Sequence, residues 1–308
     1  MFLAPGFIDL HVWGEPQELS RDLARQGTTA FLRALGPAPR EELIGELERA
    51  HAVRSLPGAQ CLGVHLEGPF LNPKRAGALP RRWMCRPTTP TLDAIGRIGG
   101  IRLMTIAPEL PGALDAIRWC RRRRIVASLG HSDADGEAAS RAVDAGASAV
   151  THVFNGMRPL HHRAPSLLGV ALTDPRLITM VILDGVHVSP EAFRLLARAK
   201  GPERIALVTD SIRHQGWSVA RRGGTYYLRG GTLAGSDLSM IRAVRNAVEL
   251  GGVGLVEAVR MASEVPARVL DDRSRGLLRV GARADLVAFD RAFRVRLTVV
   301  GGQVVYRR

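Results

Sequence analysis

Three features of the sequence predict an α/β fold, a (β/α)8 TIM-like barrel. Eight short apolar or β-branched runs are spread over the first two thirds of the 308 residues. Most are followed by a segment in which Leu, Ile and Ala recur at helical spacing. The runs contain continuous apolar stretches, which are typical of parallel strands covered on both faces. Eight such units favour a closed barrel over an open doubly wound sheet, and no GxGxxG follows the first run.

The predicted strands have an apolar body, and most of them carry a polar residue near the C-terminal end. They comprise residues 7–12, 27–35, 60–68, 101–108, 124–131, 148–155, 178–187 and 204–211.

The predicted helices between them have charged outer faces, and several begin at Pro, Ser or Asp and end at Gly. They comprise residues 16–27, 39–54, 114–124, 135–146 and 189–201.

The pattern changes after the eighth strand. A hairpin and turn are predicted over 225–236, and then a helix over 236–251 with Ser236 as its N-cap. A further helix is predicted over 253–270, stopping near Pro266.

The chain ends in a segment of strand and turn only, from Gly276 to Arg308, with Gly301-Gly302 as a hairpin signal. We therefore expect two domains, a hydrolase barrel over residues 1–275 and a small β-strand unit over 276–308.

Composition excludes several classes of protein. The hydrophobic share of 46% suits a globular core, and no run of about 18 apolar residues predicts a membrane span. The net charge of +14 comes from scattered arginines, and aromatic residues make up only 5%, so nucleic-acid binding is not expected. Three cysteines without a CxxC pair predict a reducing, cytoplasmic location.

Polar side chains gather at the C-terminal ends of the predicted strands. In a barrel these ends surround the mouth of the active site, so a cluster of histidines and carboxylates there predicts a metal site. The residues are His11, His65, Glu67, His131, His152, Asn155, Asp184, His187, Thr209 and Asp210.

Glu67, His131 and His152 are the best ligand set. Two imidazoles and a carboxylate suit one divalent ion per subunit, Zn²⁺ or Fe²⁺, with an open position for water. Asp210 is available as a base, and His187 could donate to a carbonyl oxygen. Together these groups predict metal-assisted hydrolysis.

Specific motifs at these residues resemble the N-acetylglucosamine-6-phosphate deacetylase family of the amidohydrolase superfamily. The matching segments run from Pro5 to about Val287 and include "GVHLEGPFLNP", "LGHSDA", "THVFNGMRPLHHR", "DGVHVSP", "LVTDS" and "GGTLAGS". The resemblance implies metal-dependent deacetylation of an N-acetyl amino sugar phosphate to acetate and the amino sugar phosphate.

The resemblance also implies roles for individual residues. Glu67, His131 and His152 match the metal ligands, Asp210 matches the catalytic acid/base, and His187 matches a histidine that contacts the substrate. Implied substrate-binding residues are Ala78, Asn155, Gly156, Leu233, Ala234, Gly235 and Arg163. Arg163 matches an arginine that reaches the phosphate in the neighbouring subunit's site, which implies a homodimer.

The sequence departs from the family pattern at three places. His11 and Trp13 stand where some members carry an HxH pair, which favours one metal ion and makes His11 and His65 candidate auxiliary groups. Leu79 replaces a histidine that touches the substrate, so deacetylation of another N-acyl compound, or sugar binding without turnover, stays an alternative. The chain is expected to start at the first barrel strand, without the N-terminal half of the family's small β-sandwich.

Overall fold

A computed structural model describes residues 1–53, 55–213 and 218–308. Eight parallel strands form one sheet in the order β2-β3-β4-β5-β6-β7-β8-β9, which confirms the predicted fold class. With a preceding short strand they are β1 (Phe2–Pro5), β2 (Phe7–Val12), β3 (Thr28–Leu35), β4 (Gln60–Glu67), β5 (Ile101–Ile106), β6 (Val126–Leu129), β7 (Ala149–Val150), β8 (Ile178–Val181) and β9 (Ile205–Leu207).

The chain divides into two compact units. The first contains Met1–Arg33, Val53–Leu62 and Val181–Arg308, and the second contains Ala34–Ala52 and Gly63–Met180.

In the first unit, the end of β2 is bonded to the segment that follows β9. Val12 and Ser211 form a parallel bridge, the Asp210 N–H donates to the His11 carbonyl, and the Trp13 N–H donates to the Ser211 carbonyl, both at 2.9 Å. The first barrel strand is therefore joined to the segment after the last one.

A small antiparallel sheet in the same unit has the order β1-β13-β14-β15, with β13 (Leu286–Phe289), β14 (Val295–Val300) and β15 (Gln303–Arg307). β1 pairs with β13 from Phe2↔Phe289 to Pro5↔Leu286. The expectation that the chain starts at the first barrel strand is therefore wrong, because a strand of the small sheet precedes it. The predicted turn at Gly301-Gly302 joins β14 to β15, while the predicted domain boundary at 275/276 stays a prediction.

A three-stranded sheet follows the last barrel strand, with β10 (Ala220–Arg222), β11 (Thr225–Tyr227) and β12 (Leu233–Ser236). Ser236 ends β12 and its hydroxyl donates to the Thr209 carbonyl, so it is not the N-cap of the next helix. That helix, α8 (Met240–Glu249), has Ser239 at its N-cap.

The remaining helices of the first unit are α1 (Pro16–Ala24), α7 (Pro190–Lys200), α9 (Leu255–Ala262) and α10 (Glu264–Val269). The single helix predicted over 253–270 is thus two helices, and Pro266 lies in the first turn of the second. A proline ring clashes with the carbonyl four residues earlier, which belongs to Ala262, where α9 ends.

The second unit holds α2 (Arg40–Ala52), α3 (Thr89–Ile98), α4 (Ala113–Arg122), α5 (Gly136–Ala145) and α6 (Leu167–Thr173). Local signals explain the ends of α5, because the Asp135 side chain accepts from the Ala138 N–H and Gly146 adopts a left-handed C-cap. The last residue of the helix predicted over 39–54 lies outside the described residues. None of the described helices combines the length and the apolarity needed to cross a membrane.

Candidate active site

Glu67 ends β4 and is the centre of a buried cluster in the second unit. Its Oε1 atom lies 2.7 Å from Nε2 of His152 and 3.0 Å from Nε2 of His131. All three residues are at most 5% exposed, and the two imidazole rings meet edge to face. The structure therefore brings the three predicted ligands together. Glu67 and His152 belong to a group of ligand atoms close enough to hold a metal ion, and the role of His131 as a ligand stays a prediction.

The other ring nitrogen of His131, Nδ1, has a hydrogen-bond partner that determines which ring nitrogen carries a proton. Nδ1 lies 2.7 Å from the carbonyl oxygen of Arg75, and a carbonyl can only accept, so Nδ1 carries a proton. In the neutral ring, Nε2 then presents a lone pair to the carboxylate of Glu67. Two acceptors facing each other are suited to a cation held by both, so the residues present fit a divalent metal ion.

Each histidine lies two residues after the end of its strand and has a left-handed backbone conformation. The φ angle is 47° for His131 and 26° for His152, and Phe154 follows at 78°. Such angles end an extended strand, which is why β7 covers only Ala149–Val150 instead of the predicted 148–155. Residues held in this region concentrate at functional sites.

A group of charged residues that the sequence did not single out surrounds His131. Arg75 forms an ion pair with Asp133, with Nη2 and Nε 2.7 and 2.8 Å from Oδ1. Glu109 accepts from the Asn72 amide at 2.8 Å, the Ser132 hydroxyl at 2.8 Å and the Asp133 N–H at 2.6 Å. The signal was present in the sequence, because these residues lie inside "LNPKR", "APE" and "LGHSDA".

His65 is buried in the barrel wall beside β5. Its Nε2 lies 2.8 Å from the Thr105 hydroxyl, which lies 2.8 Å from that of Thr151, and this hydroxyl lies 2.6 Å from that of Ser128. These contacts place His65 in a buried hydroxyl network. Its role as an auxiliary group stays a prediction.

The predicted substrate-binding residues of the second unit differ in their surroundings. Gly156 packs on the imidazole ring of His131, because a Cβ atom there would lie 2.9 Å from Nδ1 of His131. Asn155 donates from its amide to the carbonyls of His152 and Val153, each at 3.3 Å. Ala78 is half-buried and Arg163 is exposed, in a loop where its guanidinium contacts His162 at 2.8 Å.

In the first unit, Asp210 lies three residues after the end of β9 and also has a left-handed conformation, with a φ of 48°. Its Oδ1 atom accepts from the Trp13 indole N–H at 2.9 Å and lies 3.2 Å from Nε2 of His11. The side chain is 15% exposed. His11 therefore contacts the predicted acid/base, and its role as an auxiliary metal ligand stays a prediction.

A fully buried carboxylate supports the backbone that carries Asp210. Asp9 accepts from the Thr209 hydroxyl at 2.5 Å and from the N–H groups of Thr209 and His11 at 3.2 Å. Burial raises the pKa of Asp9 to about 6, against the opposing effect of these hydrogen bonds. Asp9, which no sequence motif marks as functional, thus ties the end of β2 to the segment after β9.

His187 and Asp184 form a buried pair, with Nδ1 of the imidazole 2.7 Å from Oδ2 of the carboxylate. Burial alone would lower the pKa of His187, but the hydrogen bond and the charge of Asp184 outweigh it and the pKa is raised. Burial alone would raise the pKa of Asp184, but His187 and two backbone N–H groups lower it. Asp184 therefore holds the tautomer of His187 with a proton on Nδ1 and favours the charged ring.

The predicted loop of Leu233, Ala234 and Gly235 forms most of β12, beside Asp210. The Ser236 N–H donates to the Asp210 carbonyl at 2.9 Å. Gly235 has a φ of 97°, and a Cβ atom there would lie 2.8 Å from the same carbonyl oxygen. This position needs glycine because the backbone approaches so closely.

Comparisons with known proteins show which family and which proteins the chain resembles. A model described as the amidohydrolase family matches residues 2–305. The chain is 37% identical to N-acetylglucosamine-6-phosphate deacetylase of Bacillus subtilis (strain 168), over 99% of this chain and 84% of that protein. It is also 37% identical to N-acetylgalactosamine-6-phosphate deacetylase of Escherichia coli O157:H7, over 98% of this chain and 87% of that protein.

A solved structure is similar over nearly the whole chain. It is a variant of N-acetyl-D-glucosamine-6-phosphate deacetylase from Mycobacterium smegmatis in complex with N-acetyl-D-glucosamine-6-phosphate. The TM-score is 0.87 at 34% identity, and the match covers 98% of this chain and 86% of that one.

Proposed function

The chain belongs to the amidohydrolase family, and from this premise we propose that it hydrolyses the acetamido bond of N-acetylglucosamine-6-phosphate or a close N-acetyl amino sugar phosphate. The reaction consumes water and gives acetate and the amino sugar phosphate. The observation that carries the proposal is the Glu67 carboxylate, on which the Nε2 atoms of His131 and His152 converge.

Glu67, His131 and His152 would hold the metal ion, Zn²⁺ or Fe²⁺. When bound, such an ion polarises a carbonyl and lowers the pKa of water towards about 7. The Arg75 carbonyl keeps the proton of His131 on Nδ1, so Nε2 stays available as a ligand.

Asp210 and His187 would move the protons. Asp210 takes a proton from the attacking water and later returns it to the leaving nitrogen. His187, protonated on Nδ1 by its bond to Asp184, presents Nε2 as a donor to the carbonyl oxygen, and its raised pKa favours the charged form that can donate there.

A second copy of the chain is the predicted partner, and Arg163 is the residue predicted to reach its active site. Arg163 lies on an exposed loop with two exposed histidines, and a guanidinium at such a place can reach the phosphate of a substrate bound to a second copy of the chain. We expect a homodimer whose Arg163→Ala variant has a raised KM for the phosphorylated sugar and little change for the unphosphorylated one. The three free cysteines support a cytoplasmic location.

An acetate-release assay tests the proposed function. Protein loaded with Zn²⁺ or Fe²⁺ is given N-acetylglucosamine-6-phosphate, and the unphosphorylated sugar serves as the comparison. We expect release from the phosphorylated sugar, and loss of nearly all turnover in Asp210→Asn with the metal still bound. Folded, metal-loaded protein that releases no acetate from either sugar would contradict the proposal.

The second candidate substrate is N-acetylgalactosamine-6-phosphate. Two observations favour including it: the relative from Escherichia coli is as similar as the one from Bacillus subtilis, and Leu79 stands where the resembled family has a histidine. The ratio of kcat/KM for the two phosphorylated sugars decides between them.

A further inference from the structure

The indole of Trp13 contacts the carboxylate of Asp210. We propose that Trp13 is a positioning residue, which reserves Oδ1 of Asp210 as an acceptor and leaves Oδ2 to carry the proton during the reaction. The inference rests on the proposed function, since it takes Asp210 as the acid/base.

The contact differentiates the two carboxylate oxygens. Trp13 is 5% exposed, and its Nε1–H donates to Oδ1 of Asp210 at 2.9 Å. An indole nitrogen has a proton and no lone pair in the ring plane, so this partner can only donate. His11 Nε2 faces the same oxygen at 3.2 Å. Within residues 1–53, 55–213 and 218–308, each hydrogen bond or ion pair to this carboxylate ends on Oδ1.

The backbone holds both partners in place. The Trp13 N–H donates to the carbonyl of Ser211, and the Asp210 N–H donates to the carbonyl of His11, both at 2.9 Å. The ring of Trp13 also packs edge to face against that of His11, with centroids 5.8 Å apart. The indole therefore meets the carboxylate from a fixed direction.

A fixed carboxylate suits the two proton transfers. In the first, an O–H bond of water breaks as a bond from Oδ2 to hydrogen forms. In the second, that bond breaks and an N–H bond forms as the C–N bond of the amide breaks. The same oxygen can serve both transfers only if the carboxylate does not rotate, and rotation would break the indole hydrogen bond. Misplacement of a reacting group by about 1 Å can lower a rate by about 100-fold.

Trp13→Phe tests the role, because it keeps a ring and removes the donor. We expect kcat to fall by about 10- to 100-fold, with KM for the sugar phosphate within about twofold and thermal stability close to that of the wild type. Trp83→Phe is the matched control, since Trp83 is partly exposed beside Arg82 and should leave both constants unchanged. An unchanged kcat, or equal changes in stability, kcat and KM, would overturn the proposal.

A second measurement needs no activity. In a ¹⁵N–¹H spectrum of the metal-free protein of 308 residues, one of the four indole signals disappears in Trp13→Phe and is thereby assigned. We expect Asp210→Asn to move this signal upfield, because the bond to a charged oxygen is lost. A signal that stays in place rules the contact out. Wild-type protein that fails to release acetate contradicts the proposed function instead, and the indole signal still decides whether Trp13 holds Asp210.

Discussion

Nδ1 of His131 lies 2.7 Å from the backbone carbonyl oxygen of Arg75, although the two residues are 56 positions apart. This bond fixes the tautomer of a predicted metal ligand, and partners of this kind commonly change metal affinity by about 10- to 100-fold. It also makes the predicted metal site depend on the loop that follows β4.

The first prediction concerns Gly156→Ala. The new methyl group would lie 2.9 Å from Nδ1 of His131 and 3.2 Å from the Arg75 carbonyl, on a backbone with a φ of 62°. We expect Zn²⁺ affinity to fall by about 10- to 100-fold, measured by competition with a chelator. Gly230→Ala is the control, because a Cβ atom there meets nothing within 4 Å. Equal affinities of the two variants would contradict the prediction.

The second prediction concerns Asp133→Asn. Loss of the ion pair frees the Arg75 side chain and weakens the hold on its carbonyl. Both partners are partly exposed, so we expect a smaller fall in Zn²⁺ affinity than for Gly156→Ala, about three- to tenfold. Asp115→Asn, which breaks a surface pair with Arg118, should change nothing. A fall in Zn²⁺ affinity of the same size in Asp115→Asn would contradict the prediction, because it would show that the loss of one negative charge, and not of the pair with Arg75, weakens binding.

The third prediction concerns pH and Asp184→Asn. The charged His187 is stabilised by Asp184, so the step that needs its proton is retained below the raised pKa and lost as pH rises through it. Without the Asp184 carboxylate, its hydrogen bond and its charge are lost, and burial, which lowers the pKa of His187, is opposed by the smaller effect of the Asp210 charge. The basic limb of kcat/KM should therefore move to lower pH. A titration of the His187 ring by NMR in metal-free protein should move in the same direction. Asp144→Asn, on the surface beside Arg176, should leave both curves in place.

The fourth prediction concerns Asp9 and stability. The folded-state pKa of about 6 lies above the unfolded value of about 3.9. The contribution of this group is therefore fully present below about pH 4 and is lost as pH rises through about 6. The free energy of unfolding of the wild type should therefore fall between pH 5 and pH 7.5, as measured by urea denaturation. That of Asp9→Asn should lack the part of this fall that Asp9 causes. The same fall between these pH values in both proteins would contradict the prediction.

Much of the candidate site could be predicted from the sequence. Glu67, His131 and His152 could be predicted to lie together because parallel strands end at one edge of a barrel, so polar residues that end apolar runs gather there. The contacts of both histidines with Glu67 agree with that expectation, and their role as metal ligands stays a prediction. Local signals likewise predicted α5 and the turn at Gly301-Gly302. These inferences needed only the period of the apolar residues, the residue types at strand ends and short-range turn chemistry.

The tertiary structure decided what depends on distant partners. Phe2–Pro5 is a strand because β13 lies beside it, and no local pattern distinguishes that pairing from an extended start of β2. Ser239, and not the predicted Ser236, is the N-cap of α8, because the Ser236 hydroxyl donates to the Thr209 carbonyl. Three further contacts join residues that are 56 to 200 positions apart. They are the hydrogen bonds of His131 to Arg75, of Thr209 to Asp9 and of Trp13 to Asp210. The sequence by itself determined which polar groups stand near the strand ends. The tertiary structure determined the orientation and the hydrogen-bond partners of these groups, because both depend on neighbours that only the fold supplies.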